Sequence, residues 1–315
     1  MSETPCLEIK LPHINFNFQN PILNASGTFY PASFDQLCPL AKCMGGIVTK
    51  TVTPTAKTGN SQPRTVELPG IGMLNSIGLQ NPGLAYTLEK DLESLSTYHL
   101  PIILSIAATS LQEFSQMSEQ IVSVQSQYPN LLALEINLSC PNVDKGGLDF
   151  GSSCDGITEV VKTVRDIWPG VLWAKLTPNA GNIIPLAGAA VEAGASGITA
   201  INTLLGVAID IRRRRPILPR VSGGYSGPGV KPVALHAVWQ LYKHFPEIPI
   251  IGIGGIQSLD DTLEFMMAGA SLIQVGTACF ARPTLFEDIH NGLTQFARQE
   301  GLAHLQELVG CAHSQ

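Results

Sequence analysis

Residues 135–142 read Glu–Ile–Asn–Leu–Ser–Cys–Pro–Asn, which sets the amides of Asn137 and Asn142 and the thiol of Cys140 within six residues at the end of an apolar run. A thiol has an ordinary pKa near about 8.5 and needs only modest tuning to act as a general base at working pH. The stretch therefore suits an amide-lined pocket with a base or nucleophile over it. A plainer account of the same residues remains open: Asn137 caps a turn, Cys140 fills an apolar gap and Pro141 ends the strand. Cys279 also follows an apolar run, but it sits between Ala278 and Phe280, where burial is the simpler account. Cys154 stands at the expected start of a helix.

Lys50 ends one apolar run and Lys175 lies inside another. Lysines are seldom buried without a partner. Two of them at strand ends point to an anion or to an electron-rich ring such as a flavin, whose N1 and O2 gain negative charge on reduction. The alternative for each is a carboxylate partner or an ammonium that snorkels outward. Gly252–Ile–Gly–Gly255, Gly276–Thr277 and Gly227 supply backbone N–H groups that can close around a phosphate, or simply ease tight turns. Asn75, in a glycine-rich loop at 72–83, and Asn202–Thr203 add polar groups. Asn75, Asn137, Asn142 and Asn202 together would suit a small heterocycle rich in carbonyl and N–H groups.

Positioning these groups requires a scaffold with many strand ends on one face. Eight short apolar runs supply them, at 21–25, 47–50, 102–107, 133–138, 172–176, 197–202, 248–253 and 272–276. The segments 111–126, 157–168, 183–193, 233–244 and 259–267 between them have amphipathic helical spacing. Eight βα units close a barrel, so the expected fold is α/β, a (β/α)8 TIM barrel. Its chemistry belongs at the C-terminal ends of the strands, and the loops after strands seven and eight are a recurrent phosphate site. The connections at 51–100 and 204–230 are long, as functional loops are, and the second, with Arg212–Arg215 and Gly223, Gly224 and Gly227, reads as a mobile excursion. With no linker or repeat in view, residues 1–315 read as one barrel domain.

The composition narrows the function classes. The 315 residues are 44% hydrophobic and 14% charged, which suits a large folded core and excludes wholesale disorder. A net charge of −6 argues against a nucleic-acid surface. The N-terminal residues carry Glu3, Pro5 and Glu8 before any apolar run, and the apolar stretch at 183–211 is interrupted by Pro185, Glu192, Asn202 and Asp210. Neither a secretory leader nor a membrane span is expected, and the reading is a cytoplasmic protein. Seven cysteines without a CxxC pair predict neither disulfides nor a structural metal. No GxGxxG fingerprint with a following acid indicates a Rossmann NAD site.

Taken together these residues resemble a known family. Asn24–Ala–Ser–Gly27, Thr49–Lys–Thr51, Met73–Leu–Asn–Ser–Ile–Gly–Leu–Gln–Asn–Pro–Gly83, Asn137–Leu–Ser–Cys–Pro–Asn142, Ala174–Lys–Leu176, Ile201–Asn–Thr203, Gly252–Ile–Gly–Gly255 and Val275–Gly–Thr277 are similar to the motifs of the family 1 dihydroorotate dehydrogenases. These are the soluble FMN enzymes of pyrimidine biosynthesis, and the likeness runs from about Leu7 to Arg298. It implies that Cys140 removes a proton from C5 of dihydroorotate while hydride passes from C6 to N5 of FMN. It implies substrate contacts from Lys50, Asn75, Gly78, Leu79, Asn137, Asn142, Asn202 and Thr203. For FMN it implies Ala25, Gly27, Lys50, Thr51, Asn137, Lys175, Ile201, Gly227, Gly254, Gly255, Gly276 and Thr277, the later glycines around the phosphate.

Within that family, Gly78–Leu–Gln–Asn–Pro82, Asn142–Val–Asp–Lys–Gly–Gly147 with Phe150–Gly151, and Gly223–Gly–Tyr–Ser–Gly–Pro228 look like the class 1B catalytic subunit. The resemblance implies a homodimer that recruits an iron–sulfur and FAD subunit to pass electrons to NAD, with fumarate the other family acceptor. Ser152–Ser–Cys–Asp155 and the dense Arg212–Arg215 run depart from the family wording, either of them as an altered partner surface, with a solvated loop the alternative for the arginines. Two rival readings share these residues: an enzyme of uracil or thymine, whose substrates lack the orotate carboxylate, and a non-redox phosphate-binding barrel.

Overall fold

A computed structural model of the chain describes residues 5–12, 14, 16–29, 41–139, 141–142 and 148–314. Eight strands form one sheet: β1 Ile22–Asn24, β2 Ile47–Val48, β3 Ile102–Ile106, β4 Leu131–Asn137, β5 Val171–Leu176, β6 Gly197–Ala200, β7 Ile250–Ile253 and β8 Leu272–Val275. They run in the order β1-β8-β7-β6-β5-β4-β3-β2 with every pairing parallel. The β1–β2 seam closes through a parallel bridge between Leu23 and Gly46. Asn24 completes it with its side chain, donating to the Val48 carbonyl at 2.8 Å and accepting from the Val48 N–H at 2.9 Å. The result is the expected (β/α)8 barrel. β3 is buried at all five positions, as a strand covered on both faces must be.

Helices α1 Leu111–Gln125, α2 Cys154–Arg165, α3 Ile183–Glu192, α4 Lys231–His244, α5 Leu259–Met267 and α6 Leu285–Gln299 pack outside the sheet. Side-chain caps fix several starts: Ser110 accepts from the Glu113 N–H, Ser153 from Gly156 and Ser258 from Asp261. The helix α2 begins at Cys154, where a helix start was expected, behind the Ser153 cap, and ends at Arg165, short of the expected 168. Arg165 then turns back to the carbonyls of Trp168, Gly170 and Gly194, tying the β5 approach to the end of α3. No helix among the described residues is long and apolar enough to cross a membrane.

The two long connections are not irregular loops. Their residues 65–68, 72–75, 222–226 and 204–207 build a four-stranded antiparallel sheet, so the excursion after β2 and the one after β6 are hydrogen-bonded to each other. In the connection at 204–230, read above as a mobile excursion, the register Gly224–Asn75 and Tyr225–Leu74 pairs the return strand with residues 72–75. The two backbones approach so closely at Gly72 and Gly227 that a Cβ on Gly227 would stand 2.4 Å from the Gly72 Cα. The arginine run forms the exposed turn of a separate two-stranded hairpin, where Asp210 accepts from the backbone N–H groups of Arg212 and Arg213 at 2.9 Å each.

Candidate active site

A cleft of about 1140 Å3 opens at the C-terminal ends of the strands, walled on one side by the antiparallel sheet. Its size exceeds the ~300–1,000 Å3 usual for a single small ligand, giving room for a cofactor and a substrate together. Residues of the loops after β1, β2, β4, β6, β7 and β8 line it, and so does Lys175 on β5. Ala25, Gly27, Lys50, Thr51, Asn75, Gly78, Leu79, Asn137, Lys175, Ile201, Asn202, Thr203, Gly227, Gly254, Gly255, Gly276 and Thr277 all take part. The structure thus brings together every residue given a substrate or cofactor role that it describes in full. Cys140 lies outside the described residues. For Asn142 only the backbone is described, as a short antiparallel pair in which it stands opposite Leu148.

The amides meet directly. Asn202 donates to Asn137 Oδ1 at 3.1 Å and to Ser139 Oγ at 2.9 Å, while its own Oδ1 accepts from the Thr203 N–H. Each amide therefore fixes the other. Asn75 donates to the Gly224 carbonyl, held by the antiparallel sheet. Gly78 and Leu79 have φ of 72° and 54°, the left-handed region, and Asn81 braces this turn by donating to the Leu79 carbonyl at 2.7 Å. Ser26, Ser139 and Ser226 also line the cleft and were not assigned from sequence. All three lie within motifs quoted above; their signal is position beside an assigned residue, since a lone serine has none of its own.

The two lysines differ. Lys175, nearly sealed, reaches Glu135 Oε1 at 3.5 Å. Lys50 has neither a carboxylate nor another hydrogen-bond partner among the described residues. Burial, and then the Lys175 charge, hold its ammonium below the usual lysine range. An uncompensated cation in a cleft is a site waiting for an anion.

The glycine loops show the same incompleteness. No described residue accepts a hydrogen bond from the N–H of Gly255, Gly276 or Thr277. Gly276 faces the cleft with only Ala25 near the position of its missing side chain, at 3.3 Å. Thr277 instead gives its hydroxyl to Ser226 at 2.7 Å, joining the loops after β6 and β8. Open N–H donors beside a glycine wall fit a phosphate. Behind them Asp261 accepts from Lys231 at 2.6 Å and from the Gln257 N–H at 2.9 Å, which ties the start of α4 to the loop after β7. Cys279, by contrast, is buried and its thiol is pushed up to about 11 by desolvation, so it is inert at neutral pH.

Parallel barrel, phosphate-type cradle and cation-bearing mouth define a (β/α)8-barrel enzyme acting at the C-terminal face of its strands. Residues 6–297 match the family model for dihydroorotate dehydrogenase. The chain is 42% identical over 307 residues to the dihydroorotate dehydrogenase B (NAD(+)) catalytic subunit of Geotalea uraniireducens, covering 97% of this chain and 98% of that one. It is 43% identical over 295 residues to the same-named protein of Desulforamulus reducens, covering 93% and 95%. With that of Bacteroides thetaiotaomicron it shares 41% over 293 residues, covering 93% and 94%. The chain belongs to the dihydroorotate dehydrogenase family, flavoprotein oxidoreductases that oxidise dihydroorotate to orotate in pyrimidine biosynthesis.

Proposed function

We propose that the chain is the FMN-dependent, NAD-coupled catalytic subunit of a dihydroorotate dehydrogenase, with Cys140 as the base that takes the C5 proton of dihydroorotate. The observation that carries this reading is the shared cleft: a lysine and a set of backbone N–H groups without partners among the described residues face one volume with a fixed pair of asparagine amides. FMN, when bound, supplies the acceptor for the hydride released from C6.

The chain's own residues divide the remaining work. Lys50 offers its charge to the substrate carboxylate, a demand that uracil-type substrates do not make. Asn137, Asn142 and Asn202, with Asn75 and Thr203, read the carbonyl and N–H edges of the ring, and Gly78 and Leu79 bring backbone against it. Ala25, Gly27, Thr51, Lys175 and Ile201 hold the cofactor ring, and Gly227, Gly254, Gly255, Gly276 and Thr277 hold its phosphate. Cys140 follows Asn137, a member of the amide pair, by three residues in sequence. The name shared by the relatives supports a second subunit that passes electrons to NAD, and the family likeness supports a homodimer in the cytoplasm.

Anaerobic mixing of the FMN-loaded chain with dihydroorotate, with dihydrouracil in parallel, tests the reading. Bleaching of the visible flavin band by dihydroorotate alone is expected. Bleaching by dihydrouracil alone, or by neither, would overturn the substrate assignment.

A further inference from the structure

Glu135 is fully buried inside the barrel, on β4 and two residues before Asn137. Its carboxylate collects donors from three other strands. Lys175 on β5 lies at 3.5 Å from Oε1; the Thr199 hydroxyl on β6 and Gln274 Nε2 on β8 donate to Oε2 at 3.0 and 2.7 Å. Strand register explains the meeting: Lys175 stands opposite both Asn137 and Thr199, so Glu135 sits one inward-facing layer below the amide pair.

Fold stability alone does not call for this arrangement. Burying a carboxylate and an ammonium together is commonly no better than packing apolar side chains in the same volume. The neighbouring groups also serve the charge at their own cost, for Gln274 turns its amide N–H to Glu135 while its own Oε1 is left buried without a partner. What the carboxylate does accomplish is visible in the contrast between the two cleft lysines, one compensated and one not.

We infer that Glu135 is a positioning residue that anchors the Lys175 ammonium at the base of the cleft and balances its charge, thereby setting the electron affinity of the bound flavin. This rests on the reading of the cleft as an FMN site. Removing the carboxylate's charge leaves two uncompensated cations in one low-dielectric cleft, which favours electron gain by whatever ring lies there. A merely structural Glu135 would not have this effect, because glutamine has the same shape and still offers an oxygen to Thr199 or Gln274.

The test loads wild type and Glu135→Gln with FMN and titrates each with sulfite, which adds to oxidised flavins more tightly as the ring becomes electron-poorer. Glu135→Gln is expected to bind sulfite on the order of tenfold more tightly than wild type. In a Lys175→Met background the same change is expected to have a smaller effect, since only the direct charge of Glu135 and no anchored ammonium is then altered. Equal or weaker sulfite binding in Glu135→Gln, or an undiminished effect in the Lys175→Met background, would overturn the inference. Should Glu135→Gln fail to fold or load, Thr199→Val decides: it strips one donor from Oε2, strengthens the hold on Lys175 and should loosen sulfite binding, and an unchanged constant would be the refuting result. A wild-type chain that takes up no FMN would instead refute the cofactor reading itself.

Discussion

Lys50 and Lys175 enter one cleft close enough for the charge of the second to act on the first, yet among the described residues only Lys175 of the two reaches a carboxylate. The asymmetry fixes what happens when Lys50 is neutralised. Burial and the Lys175 charge lower the Lys50 pKa from its usual 10.5 in the folded chain, so between the two values the unfolded state holds more protons. In the ligand-free chain Lys50 therefore destabilises the fold most at neutral pH, and the penalty fades as pH rises toward 10.5. Lys50→Met is expected to raise the melting temperature of the ligand-free chain at pH 7, with the gain shrinking as pH rises through the lowered folded value toward 10.5. The same substitution should weaken orotate binding by on the order of 10- to 100-fold, the worth of a charge-assisted contact. Calorimetry across pH, with and without orotate, reads both effects.

Only one of two strand-end cysteines is expected to matter. Cys279 is buried with its thiol pushed up to about 11, while Cys140 follows Asn137, a member of the Asn137–Asn202 pair, by three residues in sequence. Cys279→Ala should leave flavin reduction by dihydroorotate unchanged. Cys140→Ala should retain FMN and slow that step by roughly 10²–10⁴-fold, the contribution of a positioned base. Cys140→Ser should recover part of the rate at high pH, where the poorer hydroxyl base is aided by hydroxide; stopped-flow bleaching at several pH values separates the three.

Asp261 stands outside the cleft but ties two of its loops. Burial raises its carboxyl, but hydrogen bonds from Lys231, the Gln257 N–H and Ser258 outweigh this and leave it below the usual range. Its stabilisation is present above the unfolded pKa near about 3.9 and is lost as pH falls through the lower folded value. Asp261→Asn should cost about 1–3 kcal/mol at pH 7 and flatten the acid limb of the stability curve. FMN affinity should fall with it, since the loop carrying Gly254 and Gly255 loses its tie to α4. Urea melts of the flavin-free chain and fluorescence titration with FMN check the two halves independently.

The barrel was legible because β-branched runs alternating with amphipathic segments leave few other folds, and each predicted strand lies within two residues of an observed one. One boundary failed: the apolar periodicity of 157–168 runs past Arg165, where α2 ends, although its start at Cys154 was expected. The antiparallel sheet was missed for a different reason. Its strands at 72–75 and 222–226 pair across about 150 residues, and the glycines that permit their close approach read locally as loop. Asn137 and Lys175 were visible as polar residues on apolar strands. Glu135 passed as part of the same run, because its role depends on Thr199 and Gln274, which only barrel closure brings to it.

Two glycines of the proposed phosphate cradle should respond oppositely to the same added methyl group. Gly255 has φ of 78°, and a Cβ there would lie 2.7–2.9 Å from Lys231, backbone included. Gly255→Ala must distort the chain whether or not flavin is present, and should lower stability of the flavin-free protein by about 1–3 kcal/mol. Gly276 lies outside the left-handed region and would meet only Ala25 Cβ, at 3.3 Å, on the cleft wall. Gly276→Ala should therefore leave the flavin-free melt within about 0.5 kcal/mol of wild type while weakening FMN binding, because its methyl intrudes on the volume beside the open N–H groups of Gly276 and Thr277. Paired melts and FMN titrations of the two variants decide the point. Wild-type FMN affinity in Gly276→Ala would move the phosphate away from the β8 loop.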